Sequence, residues 1–326
     1  MEKWRVRQIK DQLIHVGWYF TPQWIKDRIS QRRETKKAQR ELEVFMQNKV
    51  SEAEARAALD KLDVQGDVML HSSLVEIGNI QGRHKPFVSY LQEHVLDKGH
   101  TVLAVAIPVK GYTEDYLKSI DRFDKDAPIA MGVMATYYAK QEGAYRSLSP
   151  THSVVAVGKD AEAYTAEHHM DTTPFALHSP FYKLMEKNGS LLLLGAGLKY
   201  MTIIHVVEDL MGDLYPKQSY EKKSHRVDIY KDGKCVYQGE YFAHSKWMSA
   251  WCADGHLVEL VQQLPSTRLI KLGASEIGYV NARDVVLCGL GELRKGNSIY
   301  GYCRISDECR ERIDYWINTI KNMPNE

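Results

Sequence analysis

The sequence predicts an α/β protein: a layered mixed sheet flanked by helices, with a C-terminal hairpin region and an N-terminal helical arm. Short apolar runs alternate with helical patterns between residues 67 and 211, and the runs are continuously apolar, as in strands covered on both faces. Residues 225–241 alternate around Asp232-Gly233, the strongest short hairpin signal. The hairpin indicates either an antiparallel part of the sheet or a small annex.

The elements follow one another in a regular order after residue 50. Ser51 and Glu54 form a capping-box pattern that opens a helix to about Leu62. The strands expected from apolar runs are 67–71, 100–108, 153–158 and 190–197. The expected helices are 85–99, 132–143, 160–169 and 202–211. Two strand-like pieces, "RLIKLG" and "EIGYVN", and a final amphipathic helix, "DECRERIDYWINTI", complete the chain.

Residues 1–48 differ from residues 49–326, and we expect them to be a separate basic, aromatic-rich helical arm. They carry eleven Lys/Arg and six Asp/Glu, a net charge of +5, which leaves −4 for the rest of a chain whose total is +1. The favoured interpretation is a surface helix whose aromatic residues pack onto the main domain. A dimerisation arm and attachment to an anionic membrane surface are the alternatives.

Composition excludes several classes of function. A net charge of +1 argues against a general polyanion binder, so no nucleic acid is expected as a partner. The five cysteines are scattered and form no CxxC pair, which argues against a zinc site or a disulfide framework and suits reduced thiols. No segment reaches the roughly 20 apolar residues needed to cross a bilayer. We therefore expect a cytoplasmic protein with no integral membrane contact.

The stretch "GDVMLHSSLVEIGNIQG" (66–82) is the first candidate for chemistry. A strand ends in His71-Ser72-Ser73, and a loop with Gly78 and Gly82 leads to the next helix. Hydroxyls and free backbone N–H groups after a strand suit a phosphate or an extended amide chain. A plain strand-to-loop turn, with the serines bonding locally, explains the same residues.

Two further stretches are ambiguous in the same way. Arg146 and Ser147 precede a proline-fixed turn into a strand, and Arg146 is suited either to gripping a phosphate or carboxylate or to a surface ion pair. In "TPFALHSPFYKL" (173–184), two prolines surround His178 and Ser179. That loop suits a pocket wall or a rigid connector.

The stretch "LLLLGAGLKYMTIIHVVEDL" (191–210) holds the strongest candidate base. A dinucleotide fingerprint fails, because its third glycine would stand at position 200, which is Tyr200. His205 lies at the start of a predicted helix, with Glu208 one turn on and on the same face. The helix N-terminus disfavours an imidazolium and Glu208 favours it. From this pattern alone, a core or surface histidine is a better interpretation than a general base.

Taken together, the order and spacing of these stretches resemble the aminoglycoside 3-N-acetyltransferase family, over roughly residues 50–326. Six motifs carry the resemblance: "GDVMLHSSLVEIG", "FD…P…MG", "RSxxPxxSxxAVG", "SPFYKL", "LLLLGAGLKYMTIIHVVED" and "KLGASEIGYVNARDVV". The resemblance implies acetyl transfer from acetyl-CoA to a primary amine of an aminoglycoside or amino sugar, without a metal. It also implies a mixed sheet sandwiched by helices.

The resemblance assigns roles to individual residues. His205 and Glu208 would form the catalytic pair, and Asp124 and His178 would contact the amine substrate. The residues expected along acetyl-CoA are His71, Ser72, Ser73, Leu74, Ser147 and Thr202. A homodimer is left open, as is the identity of the acceptor amine.

The sequence departs from the family pattern at two positions. Ser149 stands before Pro150 where the family has histidine, and His178 stands where the family has a small residue. One hypothesis is that His178 or His152 compensates for the missing histidine. Two alternatives to an acetyltransferase stay open: a CoA-thioester hydrolase using the same His205–Glu208 pair, and a non-catalytic CoA- or sugar-binding protein of the same fold.

Overall fold

The structure is a computed structural model that describes residues 22–246, 248 and 255–324. The strands are β1 (Lys49–Val50), β2 (Val68–Ser72), β3 (Asn79–Ile80), β4 (Thr101–Val105), β5 (Arg122–Asp124), β6 (Tyr145–Arg146), β7 (Val154–Gly158), β8 (Ser190–Leu194), β9 (His225–Lys231), β10 (Lys234–Tyr241), β11 (Arg268–Leu272), β12 (Ser275–Asn281), β13 (Asn297–Ser298) and β14 (Gly301–Tyr302). The α-helices are α1 (Gln23–Gln47), α2 (Glu52–Leu62), α3 (Leu74–Ile77), α4 (Lys85–His94), α5 (Thr113–Ser119), α6 (Val133–Tyr138), α7 (Ala161–Thr165), α8 (Pro180–Glu186), α9 (Val206–Met211), α10 (Gly255–Gln262), α11 (Ala282–Arg294) and α12 (Asp307–Lys321).

A mixed sheet of the order β11-β12-β8-β2-β4-β7-β6 forms the centre of the described chain. Strand β2 lies at its middle and pairs in parallel with both β4 and β8. Strand β12 pairs antiparallel with β8, and β7 pairs antiparallel with β4. Since β2 and β8 are parallel neighbours, their carboxyl ends lie together at one edge of the sheet. In open α/β sheets, ligands bind at this edge.

Both faces of the sheet are covered, so there is a hydrophobic core on each side. Because side chains alternate along a strand, successive residues pack into opposite cores. On β2, Met69 joins the core beneath α8, α9 and α11, while Val68 and Leu70 join the core beneath α2, α4 and α6. By the same two-residue period, His71 points to the Met69 face. The continuously apolar strands of the sequence are thus explained, and the predicted layered mixed sheet is confirmed.

The predicted hairpin forms a small sheet beside the central one. Strands β9 and β10 pair around Asp232-Gly233, both of which have positive φ angles, 52° and 76°. Strand β5 adds to β9 in parallel, so this sheet has the order β10-β9-β5. Of the two arrangements left open, the annex is the one that occurs.

The arm is described only from residue 22 onward, and its aromatic residues Trp4, Trp18, Tyr19 and Phe20 lie outside the described residues. Its later part forms the single long helix α1, which contacts α3 and β3 near the carboxyl end of β2. Arg40 forms an ion pair with Glu76 of α3, 3.3 Å apart. The domain boundary at residue 48 remains a prediction. Within the described residues, no helix combines the length and apolar character needed to span a membrane.

The structure differs from expectation at five helices. Helices α3, α5, α10 and α11 were not predicted. Asn281 is nevertheless an N-cap residue type, and its side chain accepts the N–H groups of Arg283 and Asp284. The helix expected at 202–211 begins with a tighter 3-10 turn, Thr202–His205, before α9 starts. The Ser51–Glu54 capping box and the helix it opens are confirmed.

Candidate active site

The site begins where β8 ends. Gly195 follows β8 with a φ of +72°, and a Cβ there would lie 2.5 Å from the carbonyl oxygen of Ser73. Only glycine tolerates this conformation and this close approach, so the ends of β2 and β8 can meet. The backbone N–H of Ser73 donates to the carbonyl of Leu194 across the junction. Gly195 therefore serves strand packing, and the chain then turns into the helix that carries His205.

The imidazole of His205 is paired with Glu208, as the spacing predicted. Nδ1 of His205 lies 2.6 Å from Oε1 of Glu208. Because a carboxylate only accepts hydrogen bonds, Nδ1 must carry the proton, and a neutral His205 ring has its lone pair on Nε2. The Glu208 side chain is 1% exposed and that of His205 is 18% exposed, so the pair has one open side, at the ring.

Glu208 has two further partners that the sequence did not reveal. Nε2 of His244 donates to Oε2 at 3.0 Å, and the hydroxyl of Tyr300 donates to Oε1 at 2.9 Å. Burial by itself raises the pKa of the Glu208 carboxyl, but His244 and His205 together hold that pKa well below its usual range. Glu208 is thus a buried carboxylate that bridges two imidazoles.

Aromatic rings hold the two imidazoles in place. The ring of Phe175 stacks on His205 with centroids 5.2 Å apart, and Tyr220 stacks on His244 at 4.5 Å. Phe175 is fixed in turn by its backbone N–H, which donates to Asp209 at 2.9 Å. Burial raises the pKa of that Asp209 carboxyl to about 7. These contacts leave little rotational freedom at the candidate base.

The structure places His178 and His152, the two histidines considered as substitutes for the missing family histidine, in different surroundings. His178 is half exposed and its Nδ1 pairs with Asp171 at 2.8 Å, so its imidazole is engaged outside the His205 cluster. His152 is buried, contacts the ring of Phe175 and lies 6.1 Å, between centroids, from His244. Burial holds the pKa of His152 well below its usual range. Of the two, His152 is the one beside the cluster.

The residues expected along acetyl-CoA lie in two kinds of environment. His71 is buried at the end of β2, and its Nε2 has no hydrogen-bond partner among the described residues; the same is true of the Thr202 hydroxyl. Burial lowers the pKa of His71 to about 4, so its ring is neutral near pH 7. Ser72 ends β2, Ser73 is the N-cap residue of α3, and Leu74 begins that helix.

Ser147 differs, because its hydroxyl is buried and committed to the protein. It accepts the N–H of Val154 at 2.8 Å and lies 2.9 Å from Nδ1 of His168. Since Nε2 of His168 donates to the carbonyl of Pro174, Nδ1 is the acceptor and Ser147 the donor. Its assignment to acetyl-CoA stays a prediction.

Two other candidates are held in their own contacts. Asp124 ends β5, where it pairs with Arg122 at 2.9 Å. The guanidinium of Arg146 donates to Ser153 and to the carbonyls of Lys125, Ala127, Pro128 and Ala106. Arg146 is therefore neither in a surface ion pair nor open to an anion. It fastens the loop 125–128 to the end of β4.

Comparison with known proteins identifies the family. A family model for aminoglycoside 3-N-acetyltransferases matches residues 69–292. The aminoglycoside N(3)-acetyltransferase III of Salmonella sp. is 33% identical over 267 residues, which are 73% of this chain and 89% of that relative.

Solved structures share the fold. AAC-IIIb in a binary complex with CoASH has a TM-score of 0.62 at 22% identity, with 76% of this chain and 97% of that chain covered. AAC-VIa bound to sisomicin has a TM-score of 0.57 at 22% identity, covering 74% and 97%. The resemblance drawn from the six motifs is confirmed, and with it the expected acyltransferase class: the chain belongs to the aminoglycoside 3-N-acetyltransferase family.

Proposed function

We propose that this protein transfers the acetyl group of acetyl-CoA to a primary amine of an aminoglycoside or amino sugar, with His205 as general base. The observation that carries the proposal is the His205–Glu208 pair, 2.6 Å apart, which leaves Nε2 of a partly exposed imidazole free to accept a proton. An alkylammonium is no nucleophile, so a base must take its proton before it attacks the thioester carbonyl.

The remaining steps follow from the same ring. Nε2 of His205 takes the proton, the amine nitrogen bonds to the carbonyl carbon, and the C–S bond then breaks. The departing thiolate takes that proton back from the imidazolium, and the nitrogen releases its second proton to solvent as the neutral amide forms. Glu208 stabilises the transient imidazolium through Nδ1, and backbone N–H groups or Thr202 are candidate donors to the oxyanion. No step uses a metal.

Two unpartnered polar atoms support a cofactor site at the strand ends. Buried polar groups are almost always hydrogen-bonded, so the lone Nε2 of His71 and the lone hydroxyl of Thr202 require an explanation. His71 points to the sheet face that carries α9, and Thr202 begins the 3-10 turn that leads to His205. The amides of a pantetheine chain would supply both with partners. The relative AAC-IIIb, which has the same fold, binds CoASH.

The acceptor is proposed at the level of its class. A related structure holds sisomicin, an amine-bearing ligand, and supports an aminoglycoside or amino sugar. Asp124 and His178 are retained as proposed contacts for it, with the buried Asp171 carboxylate behind His178. Membership of the family does not favour the hydrolase or the non-catalytic alternative.

A thiol-release assay separates these possibilities. Wild type is given acetyl-CoA with and without a panel of aminoglycosides and amino sugars, beside His178→Ala. We expect release that depends on the amine, and a His178→Ala variant whose kcat is kept while KM rises. Equal release without amine would identify a hydrolase. No release with any amine, together with no binding of CoA, would overturn the proposal.

A further inference from the structure

The geometry points to an inhibitory site for Zn²⁺, or a similar transition-metal ion, formed by His205, Glu208 and His244. One ligand atom from each of the three residues lies within 4.8 Å of the others. Two imidazoles and one carboxylate form a donor set that binds Zn²⁺ in preference to Mg²⁺ or Ca²⁺. Three protein ligands leave the fourth coordination position for water.

The electrostatics of the cluster favour a cation. Glu208 is a buried carboxylate whose side chain is only 1% exposed. Nε2 of His244 lies 3.0 Å from Oε2 of Glu208, and Nδ1 of His205 lies 2.6 Å from Oε1. A divalent ion held between this carboxylate and the two imidazole nitrogens would place a countercharge inside the cluster.

The ligands are already oriented by their neighbours. Tyr300 donates to Oε1 of Glu208, and the rings of Tyr220 and Phe175 stack on the two imidazoles. Such supporting contacts are typical of metal sites. Metal bonds of about 2.0–2.2 Å place neighbouring ligands roughly 3.3 Å apart, so the 2.6 Å contact between His205 and Glu208 must open slightly. His205 is the more exposed of the two histidines, 18% against 6%, so a small translation of its ring along the face of Phe175 would open this contact.

The consequence for activity rests on the proposed function. In the neutral His205 ring, Nδ1 carries the proton donated to Glu208 and Nε2 holds the lone pair. A metal bound at Nδ1 requires the lone pair there, so the proton must move to Nε2. The ring then offers an N–H where the amine needs an acceptor. Zn²⁺ would thus block the base without covering the whole cleft.

The metal site is tested without substrates, by titrating the full chain with Co²⁺ and following its d–d absorption, then displacing Co²⁺ with Zn²⁺. Wild type should show four-coordinate bands at one equivalent. His244→Ala removes a ligand and should weaken Co²⁺ binding by at least about 100-fold. This bound is set by residues that only support a ligand, whose mutation already lowers metal affinity about 10- to 100-fold. His244→Gln tests the same ligand while placing an N–H donor where Nε2 contacts Glu208, and a thermal melt in chelator checks its fold.

The matched control is His178→Ala, which removes a histidine paired with a carboxylate at 2.8 Å. Its Co²⁺ spectrum should match that of wild type. A Cys235→Ser background removes an exposed thiol as a competing ligand. Bands unchanged in both His244 variants, or absent in wild type at millimolar Co²⁺, would overturn the site.

Amine-dependent thiol release, measured with Zn²⁺ and then with added chelator, tests inhibition separately. We expect reversible loss of release in wild type. A chain that binds Co²⁺ through His244 but never releases thiol would refute the proposed function and leave the metal site standing. Full release with Zn²⁺ bound would refute inhibition.

Discussion

Replacing Glu208 by glutamine should disable the candidate base while changing only one heavy atom. The carboxylate accepts three hydrogen bonds, from His205 at 2.6 Å, His244 at 3.0 Å and Tyr300 at 2.9 Å. A glutamine side chain offers one acceptor oxygen and one NH₂ group. Whichever imidazole faces the NH₂ must therefore invert its tautomer or lose its bond.

The size of the loss depends on which ring faces the amide nitrogen. If it is His205, Nδ1 becomes the acceptor and Nε2 carries the proton, a wrong tautomer of the kind that costs about 10⁴ in kcat in serine proteases. If it is His244, His205 keeps its tautomer but loses the negative charge beside its imidazolium. A charge-assisted hydrogen bond contributes about 1.5–3 kcal/mol, or roughly 10- to 150-fold in rate. We therefore expect the kcat of Glu208→Gln to fall by between about 10-fold and about 10⁴-fold.

The assay is amine-dependent thiol release at saturating substrates, with a thermal melt of each variant. The matched control is Glu292→Gln, which changes another largely buried carboxylate with three partners: His256 at 2.9 Å, Lys295 at 2.7 Å and Asn297 at 3.0 Å. Its kcat should stay within about threefold of wild type. A folded Glu208→Gln variant that is as active as this control would refute the role given to the carboxylate.

Three further predictions concern stability. Gly195→Ala should lower the free energy of unfolding by at least about 1–2 kcal/mol in urea, because it forces an L residue to a φ of +72° and a Cβ against Ser73; an unchanged midpoint would contradict this. Burial raises the pKa of Asp209 to about 7, so the folded carboxyl keeps a proton that the unfolded chain releases above about pH 4. The free energy of unfolding of wild type should therefore fall as the pH rises from about 4 to 7. Asp209→Asn, which cannot ionise, should lose less over the same range. Arg146→Lys removes most of the donors to the carbonyl groups around it and should cost about 2–4 kcal/mol in urea, and a loss below 1 kcal/mol would contradict the fastening role.

Most of the fold was readable from local patterns. Apolar runs between turn residues predicted the central strands, and the capping box at Ser51 and the turn at Asp232-Gly233 each rest on contacts between residues close in sequence. Helix α11 was missed even though its N-cap, Asn281, carries a recognisable signal. Order within the sheet, with β2 between β4 and β8, depends on non-local pairing that no local pattern specifies.

The site was predictable only in part, for the same physical reason. His205 and Glu208 are three residues apart, so helical geometry joins them. His244 and Tyr300 reach Glu208 across 36 and 92 residues, and neither stands in a motif. Arg146 was expected to face an anion or an ion pair, because sequence shows charge but not the backbone carbonyls that surround it.

The most direct test of the proposed chemistry is the rate of His205→Ala with and without added imidazole. Loss of a general base should lower amine-dependent thiol release by about 10²–10⁴, and free imidazole entering the vacated space should restore part of it. His256→Ala, which removes a histidine paired with Glu292, should keep the wild-type rate. A His205→Ala enzyme that releases thiol as fast as wild type would show that this imidazole takes no proton from the amine.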